Sequence, residues 1–116
     1  MLSKFELEST GRMGCVIIRA HDEGLTVRAE IAWATIDDAT GRTNLTKEQH
    51  ALIVGANIDL FDRIAAGKYS RKEFAMRDLR GTTYAHVDIS LADVERNGAR
   101  LETSALESPR AESSPT

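Results

Sequence analysis

The sequence predicts an α+β fold: a three- or four-stranded antiparallel sheet with a long helix and one or two short helices packed on one face. Three observations carry that reading. Two apolar runs alternate with period two on either side of the polar link "HDEG", a third alternating run comes late in the chain, and the residues between them follow a helical period.

The elements follow in order. In "SKFELES", Phe5 and Leu7 stand at strand spacing and predict a short edge strand. "GCVIIRA" puts Val16, Ile18 and Ala20 on one side of a second strand, where β-branched residues suit a pleated surface. From Leu25 the odd positions Leu25, Val27, Ala29, Ile31 and Trp33 are apolar. The even positions Thr26, Arg28 and Glu30 are polar, as in a strand with one dry and one wet face. His21, Asp22 and Glu23 between these runs are residue types used in proton transfer and metal binding. Adjacent side chains of extended chain diverge, however, and Gly24 closes the group, so the stretch reads as a hairpin turn.

"WATIDDA" predicts a short helix closed by the loop "TGRTN". A long helix then starts at Thr46, which forms a capping-box pattern with Gln49. Ile53, Asn57, Leu60, Phe61, Ile64 and Ala65 follow at three- and four-residue steps, and Gly67 is expected as the C-terminal cap. Gly55 costs about 1 kcal/mol relative to Ala inside a helix, which predicts a close contact with the sheet. Ser70 and Glu73 form a second capping pattern that predicts further helical turns. The last strand places Ala85, Val87, Ile89 and Leu91 on one side and Tyr84, His86, Asp88 and Ser90 on the other.

Length and composition set the organisation. With 116 residues the chain is read as a single α+β domain over residues 1–97. Residues 98–116 are read as a flexible polar tail, because "ESPRAESSPT" holds both prolines and one apolar residue, Ala111. A formal net charge of −3 gives no global attraction to nucleic acid or anionic membrane. Cys15 is the only cysteine, which excludes an intrachain disulfide and a cysteine-based zinc site, and its apolar neighbours predict a buried, inert thiol. The N-terminal residues, with Glu6 and Glu8 and no long apolar core, do not read as a signal peptide, and no stretch is apolar enough to span a membrane. The localisation expected is the cytoplasm.

No catalytic, cofactor-binding or metal-binding residue is assigned from the sequence, and no cofactor is expected. His21, His50 and His86 have no carboxylate or cysteine at a recognised ligand spacing. His86 and Asp88 share a strand face and form the best catalytic pair available; a surface pair is the plainer reading. Asp37-Asp38 reads as a capping or solubilising pair, and Asp59 with Asp62 as the solvated stripe of a helix. Between Arg63 and Arg80 six basic residues stand against two acids, so Arg71, Lys72, Arg77 and Arg80 are the candidate nucleic-acid contacts.

The run from Val16 to Val94 resembles a small bacterial family, the domain of unknown function 1488. The likeness lies in "VIIRAHDEGLTVRAEIAWATI", "ALIVGANIDLFDRIAAGKYSR" and "YAHVDISLADV". Asn57 stands for the helical Asn of the family pattern, Phe61 or Ile64 for its apolar anchors, Tyr69 for its aromatic and Asp93-Val94 for its ending. Ile58 stands where the pattern commonly has Arg, and "RKEFAMRDLRG" exceeds the usual link. The resemblance implies a compact α+β fold in a bacterial cytoplasm and brings no activity, cofactor or catalytic residue.

The expected role is therefore a small non-enzymatic binding or regulatory module whose partner is another protein or a second copy of itself. Self-association is expected because Ile17 points away from the face of Val16 and Ile18 and needs cover. The alternatives are salt-sensitive nucleic-acid binding through residues 63–80, and a small enzyme using His86 and Asp88.

Overall fold

In the computed structural model, which describes residues 1–9, 14–97 and 101–106, the strands are β1 (Glu6–Ser9), β2 (Cys15–Asp22), β3 (Leu25–Ala32), β4 (Ala75–Leu79) and β5 (Thr82–Ile89). They form one five-stranded mixed sheet in the order β1-β2-β3-β5-β4. The helices are α1 (Trp33–Thr40), α2 (Lys47–Ala56), α3 (Ile58–Ser70) and α4 (Leu91–Arg96), with a 3₁₀ turn over Ser104–Leu106. The α+β class holds. The sheet is larger than the three or four antiparallel strands expected, because β3 and β5 pair in parallel.

One unread strand explains the difference. β3 runs straight into α1, and α1 to α3 follow before β4 runs back along the sheet edge. A hairpin then returns the chain as β5, inserted between β3 and β4 and parallel to β3. Adding β4 reverses the chain once more, so the direction of the last strand flips. The Ser70–Glu73 pattern caps no helix: Ser70 is the last residue of α3, Lys72 takes a left-handed turn at φ 63°, and the chain enters β4.

Both hairpins use two-residue turns with positive φ at each position, the geometry that matches strand twist. Glu23 and Gly24 (φ 50° and 92°) join β2 to β3, and Arg80 and Gly81 (φ 53° and 83°) join β4 to β5. Of "HDEG", Glu23 and Gly24 are the turn, while His21 and Asp22 end β2, with His21 exposed at the mouth of the hairpin.

The alternation seen in the sequence becomes burial on one face. Val16, Ile18, Ala20, Val27, Ala29, Ile31, Ala85, Val87 and Ile89 are buried in the same core cluster as Ile36, Ile53, Val54, Phe61 and Ala65 from the helices. Phe5, just ahead of β1, joins that core, while Leu7 is half-exposed at the edge. Ile17 does point to the opposite face, yet it is only 3% exposed within the single chain. The apolar surface that was expected to call for a second copy is already covered.

The helices refine the reading at several points. Thr46 and Gln49 form the expected reciprocal box, with Thr46 N–H donating to Gln49 Oε1 at 2.8 Å and Gln49 N–H to Thr46 Oγ1 at 3.1 Å. The expected long helix is two helices that meet at Asn57. The Asn57 amide donates to Ile53 O (2.7 Å) and Glu102 O (2.9 Å), and its Oδ1 accepts from Glu102 N–H (2.8 Å). These bonds end α2 and fasten the segment that buries Leu101. Packed chain therefore reaches Leu106, whereas the expected boundary beside Gly98 and the tail beyond Leu106 lie outside the described residues. Gly67 lies inside α3 rather than capping it. Gly55 is exposed, and an added Cβ would meet nothing within 4 Å, so no close contact with the sheet explains it. Leu91 opens α4, which Ser90 and Asp93 cap reciprocally. No helix among the described residues is long and apolar enough to cross a membrane.

Two stability measurements check this account. Asn57→Ala is expected to cost about 2 kcal/mol in urea unfolding, since it orphans backbone groups at both ends of the bridge. Gly55→Ala is expected to stabilise the protein by about 0.5 kcal/mol, because it removes backbone entropy from the unfolded chain where the helix has room.

Candidate functional site

With the helices on one face, the other face of the sheet is the natural place for chemistry. Paired residues in a sheet share a side, so the register lays that face out in rows. Ile17, Glu30 and Asp88 form one row; Arg19, Arg28, His86 and Ala75 the next; His21, Thr26, Tyr84 and Arg77 a third.

His86 sits at the centre and is only 7% exposed. Its Nε2 lies 2.9 Å from Asp88 Oδ1 and 4.0 Å from Glu30 Oε1. The Tyr84 ring meets the imidazole edge-on, with centroids 6.4 Å apart. The pair that the sequence singled out does meet, and the parallel pairing adds Glu30 as a third member. Beside them lies a hollow of about 300 Å³ lined by Lys68, Phe74, Arg77, His86 and Asp88.

Arginines gather toward the hairpin end. Arg28 grips Glu8 in a two-pronged ion pair, Nε to Oε1 at 3.1 Å and Nη2 to Oε2 at 2.9 Å, while its guanidinium carbon lies 5.1 Å from the Tyr84 ring centroid. Such forked pairs fix geometry as well as charge. A hollow of about 340 Å³ opens beside this pair, bounded by Arg19, Thr26, Arg28, Arg80, Thr82 and Tyr84. Arg19 and Arg80 are exposed and have no ion-pair partner among the described residues.

The basic segment 63–80 does not form one patch. Arg71 is tied to Glu73 at 2.9 Å, and Lys72 occupies the turn after α3. Arg77 and Arg80 lie on the open-face side of the second hairpin. His50, in the first turn of α2, is buried: it stacks on Trp33 with centroids 4.7 Å apart, and its Nε2 lies 2.8 Å from Asp37 Oδ1. Asp37 is therefore a structural partner rather than a solubilising acid. Asp62 accepts the Phe5 N–H at 2.8 Å and Asp59 pairs with Lys4 at 2.6 Å, so both anchor the first strand segment to α3. Glu8, Arg28 and Glu30 were not singled out in the sequence. Their wet-face positions were visible, but their partners depend on distant strands.

Lys68 braces the site from the helix layer. Its Nζ donates to the Asp88 carbonyl and to Asp93 Oδ2, both at 2.7 Å, locking the end of β5 to α3. Burial alone would push the Asp93 carboxyl up. The Lys68 ammonium and the Ser90 N–H and hydroxyl outweigh it and hold the group below its ordinary value of 3.8. A carboxyl lowered in the folded state stabilises above its unfolded pKa, and that contribution is lost as pH falls through the folded value. Asp93→Asn is therefore expected to flatten the decline of unfolding free energy as pH falls below about 4. Lys68→Met is expected to cost about 2 kcal/mol at neutral pH, because it leaves the buried Asp93 carboxylate with only Ser90 and the largely exposed Arg96 as partners. An unchanged acid limb in Asp93→Asn would contradict this assignment.

Set against known proteins, the chain matches no protein-family model, no curated protein and no solved structure. Its functional reading rests on the surface described above.

Proposed function

We propose that the protein is a non-enzymatic binding module of the cytoplasm that takes an acidic segment of a partner protein into the arginine-lined hollow of its open sheet face. The observation that carries this reading is the Arg28–Glu8 pair. Inside the hollow one carboxylate is already held by a guanidinium fork, and two further guanidiniums, Arg19 and Arg80, stand beside it without partners among the described residues. Guanidinium matches carboxylate in a bidentate geometry, and pairing in a partly sheltered hollow sets register more than raw affinity. The bacterial family that the sequence resembles, the domain of unknown function 1488, supplies no activity, which leaves the chemistry of this hollow as the support.

Nucleic-acid binding is the second reading, and one observation favours it: Arg77 and Arg80 share the open face with Tyr84, a ring on which a base could stack. Against it, Glu8, Glu30 and Asp88 lie on the same face and repel a continuous phosphate chain.

Immobilised protein incubated with host lysate, with and without nuclease, separates the two. The acidic-segment reading predicts a captured protein that resists nuclease, is displaced by a glutamate-rich peptide, and binds the Arg19→Glu/Arg80→Glu variant at least roughly tenfold more weakly. Capture lost on nuclease treatment assigns the face to nucleic acid. A partner retained in full by the double variant contradicts both readings.

A further inference from the structure

We infer that Glu30, His86 and Asp88 form a binding site for a divalent transition-metal cation. The inference stands apart from the acidic-segment reading, since it uses other residues, which adjoin the arginine hollow on the open face. Its basis is a donor set that only the folded sheet assembles. Parallel pairing puts Glu30 opposite Asp88, and His86 lies two residues earlier on β5, facing the same way. One donor atom from each residue falls within 4.8 Å of the other two.

The distances suit a cation after small rotations. Three donors each about 2.1 Å from a common ion stand roughly 3.0–3.4 Å apart, depending on tetrahedral or octahedral geometry. Nε2 of His86 already lies 2.9 Å from Asp88 Oδ1 and 4.0 Å from Glu30 Oε1. His86 is buried, which fixes its ring. The Asp88 side chain is 73% exposed and Glu30 29%, so the two carboxylates are free to adjust.

Charge points the same way. Two carboxylates flank one imidazole, and among the described residues neither has an ion-pair partner other than His86. Arg28 and Lys68 are committed elsewhere, and Arg77, which lines the hollow beside Asp88, makes no ion pair with either acid among the described residues. Arg28 holds Glu8, and Lys68 reaches the carbonyl of Asp88 while its ion pair is with Asp93. A dication supplies the missing positive charge, whereas a hydrogen bond to His86 satisfies only one of the two acids.

The donor types set the class of metal. One imidazole nitrogen with two carboxylate oxygens suits Zn²⁺, Mn²⁺ or Fe²⁺. It is too poor in oxygens for Ca²⁺ and has no thiolate for Cu⁺. Three protein ligands leave coordination positions open, and a hollow of about 300 Å³ lies beside His86 and Asp88.

The test is calorimetric titration of the full chain with ZnCl₂, alongside imidazole NMR. The expected result is one Zn²⁺ per chain with micromolar affinity, accompanied by a shift of the His86 ring resonances while those of His50 stay in place. Glu30→Gln and Asp88→Asn, both at accessible positions and checked as folded by circular dichroism, are each expected to weaken binding by roughly tenfold or more. His21→Ala serves as the control, since His21 lies beside Asp22 and Glu23 at the hairpin, and it is expected to bind as the wild type does. Three results would overturn the inference: no saturable binding at millimolar Zn²⁺, affinity unchanged in both carboxylate variants, or binding abolished by His21→Ala.

Discussion

The parallel pairing of β3 with β5 is the constraint on which the rest of this molecule depends. Parallel neighbours cannot be joined by a tight turn, so the chain between them must travel. Here it does so through three helices and an edge strand. The helices bury their apolar sides on the sheet face where Val27, Ala29, Ile31, Val87 and Ile89 lie, which commits that face to the core. The opposite face is left to polar groups. The same pairing sets Arg28 beside His86 and Glu30 beside Asp88, so the surface chemistry follows from the register. A slip by one residue would send each of these side chains into the core.

Polar anchors hold this arrangement at its margins, where apolar packing thins out. Asn57 joins two helices to the segment carrying Leu101. Lys68 ties the end of β5 to α3 and to the cap of α4. Tyr69 donates its hydroxyl to Asp22 at 2.8 Å and holds that carboxyl below its usual range, fastening the first hairpin to the end of α3. Each anchor links an element on one side of the chain to one far away in sequence. The sheet end that carries Glu30, His86 and Asp88 is thus braced from the helix layer, and its open side stays free for a ligand.

Much of the fold was legible because its signals are local. Alternation marked β2, β3 and β5, the Thr46–Gln49 box marked the start of α2, and Gly24 marked the first hairpin. β4 escaped because all five of its residues are exposed at the sheet edge, so "AMRDL" has no dry face to alternate with. The Arg80-Gly81 turn was the one cue to it. The break at Asn57 also escaped, since Gly55 two residues earlier reads as a tolerated helix interior and the bonds that fasten Asn57 reach Glu102 far along the chain. The site divides in the same way. His86 with Asp88 was visible at spacing i, i+2, whereas Glu30 and the Glu8–Arg28 pair required the neighbours that β3 finds only in the folded sheet.

The most direct test of this account is the pattern of interstrand nuclear Overhauser effects between β3 and β5 in the isotope-labelled protein. The account predicts parallel-type backbone contacts that pair Thr26 with Tyr84, Arg28 with His86 and Glu30 with Asp88. An antiparallel pattern, or a register displaced by one residue, would contradict it and dissolve the shared face on which both the arginine hollow and the Glu30–His86–Asp88 cluster depend.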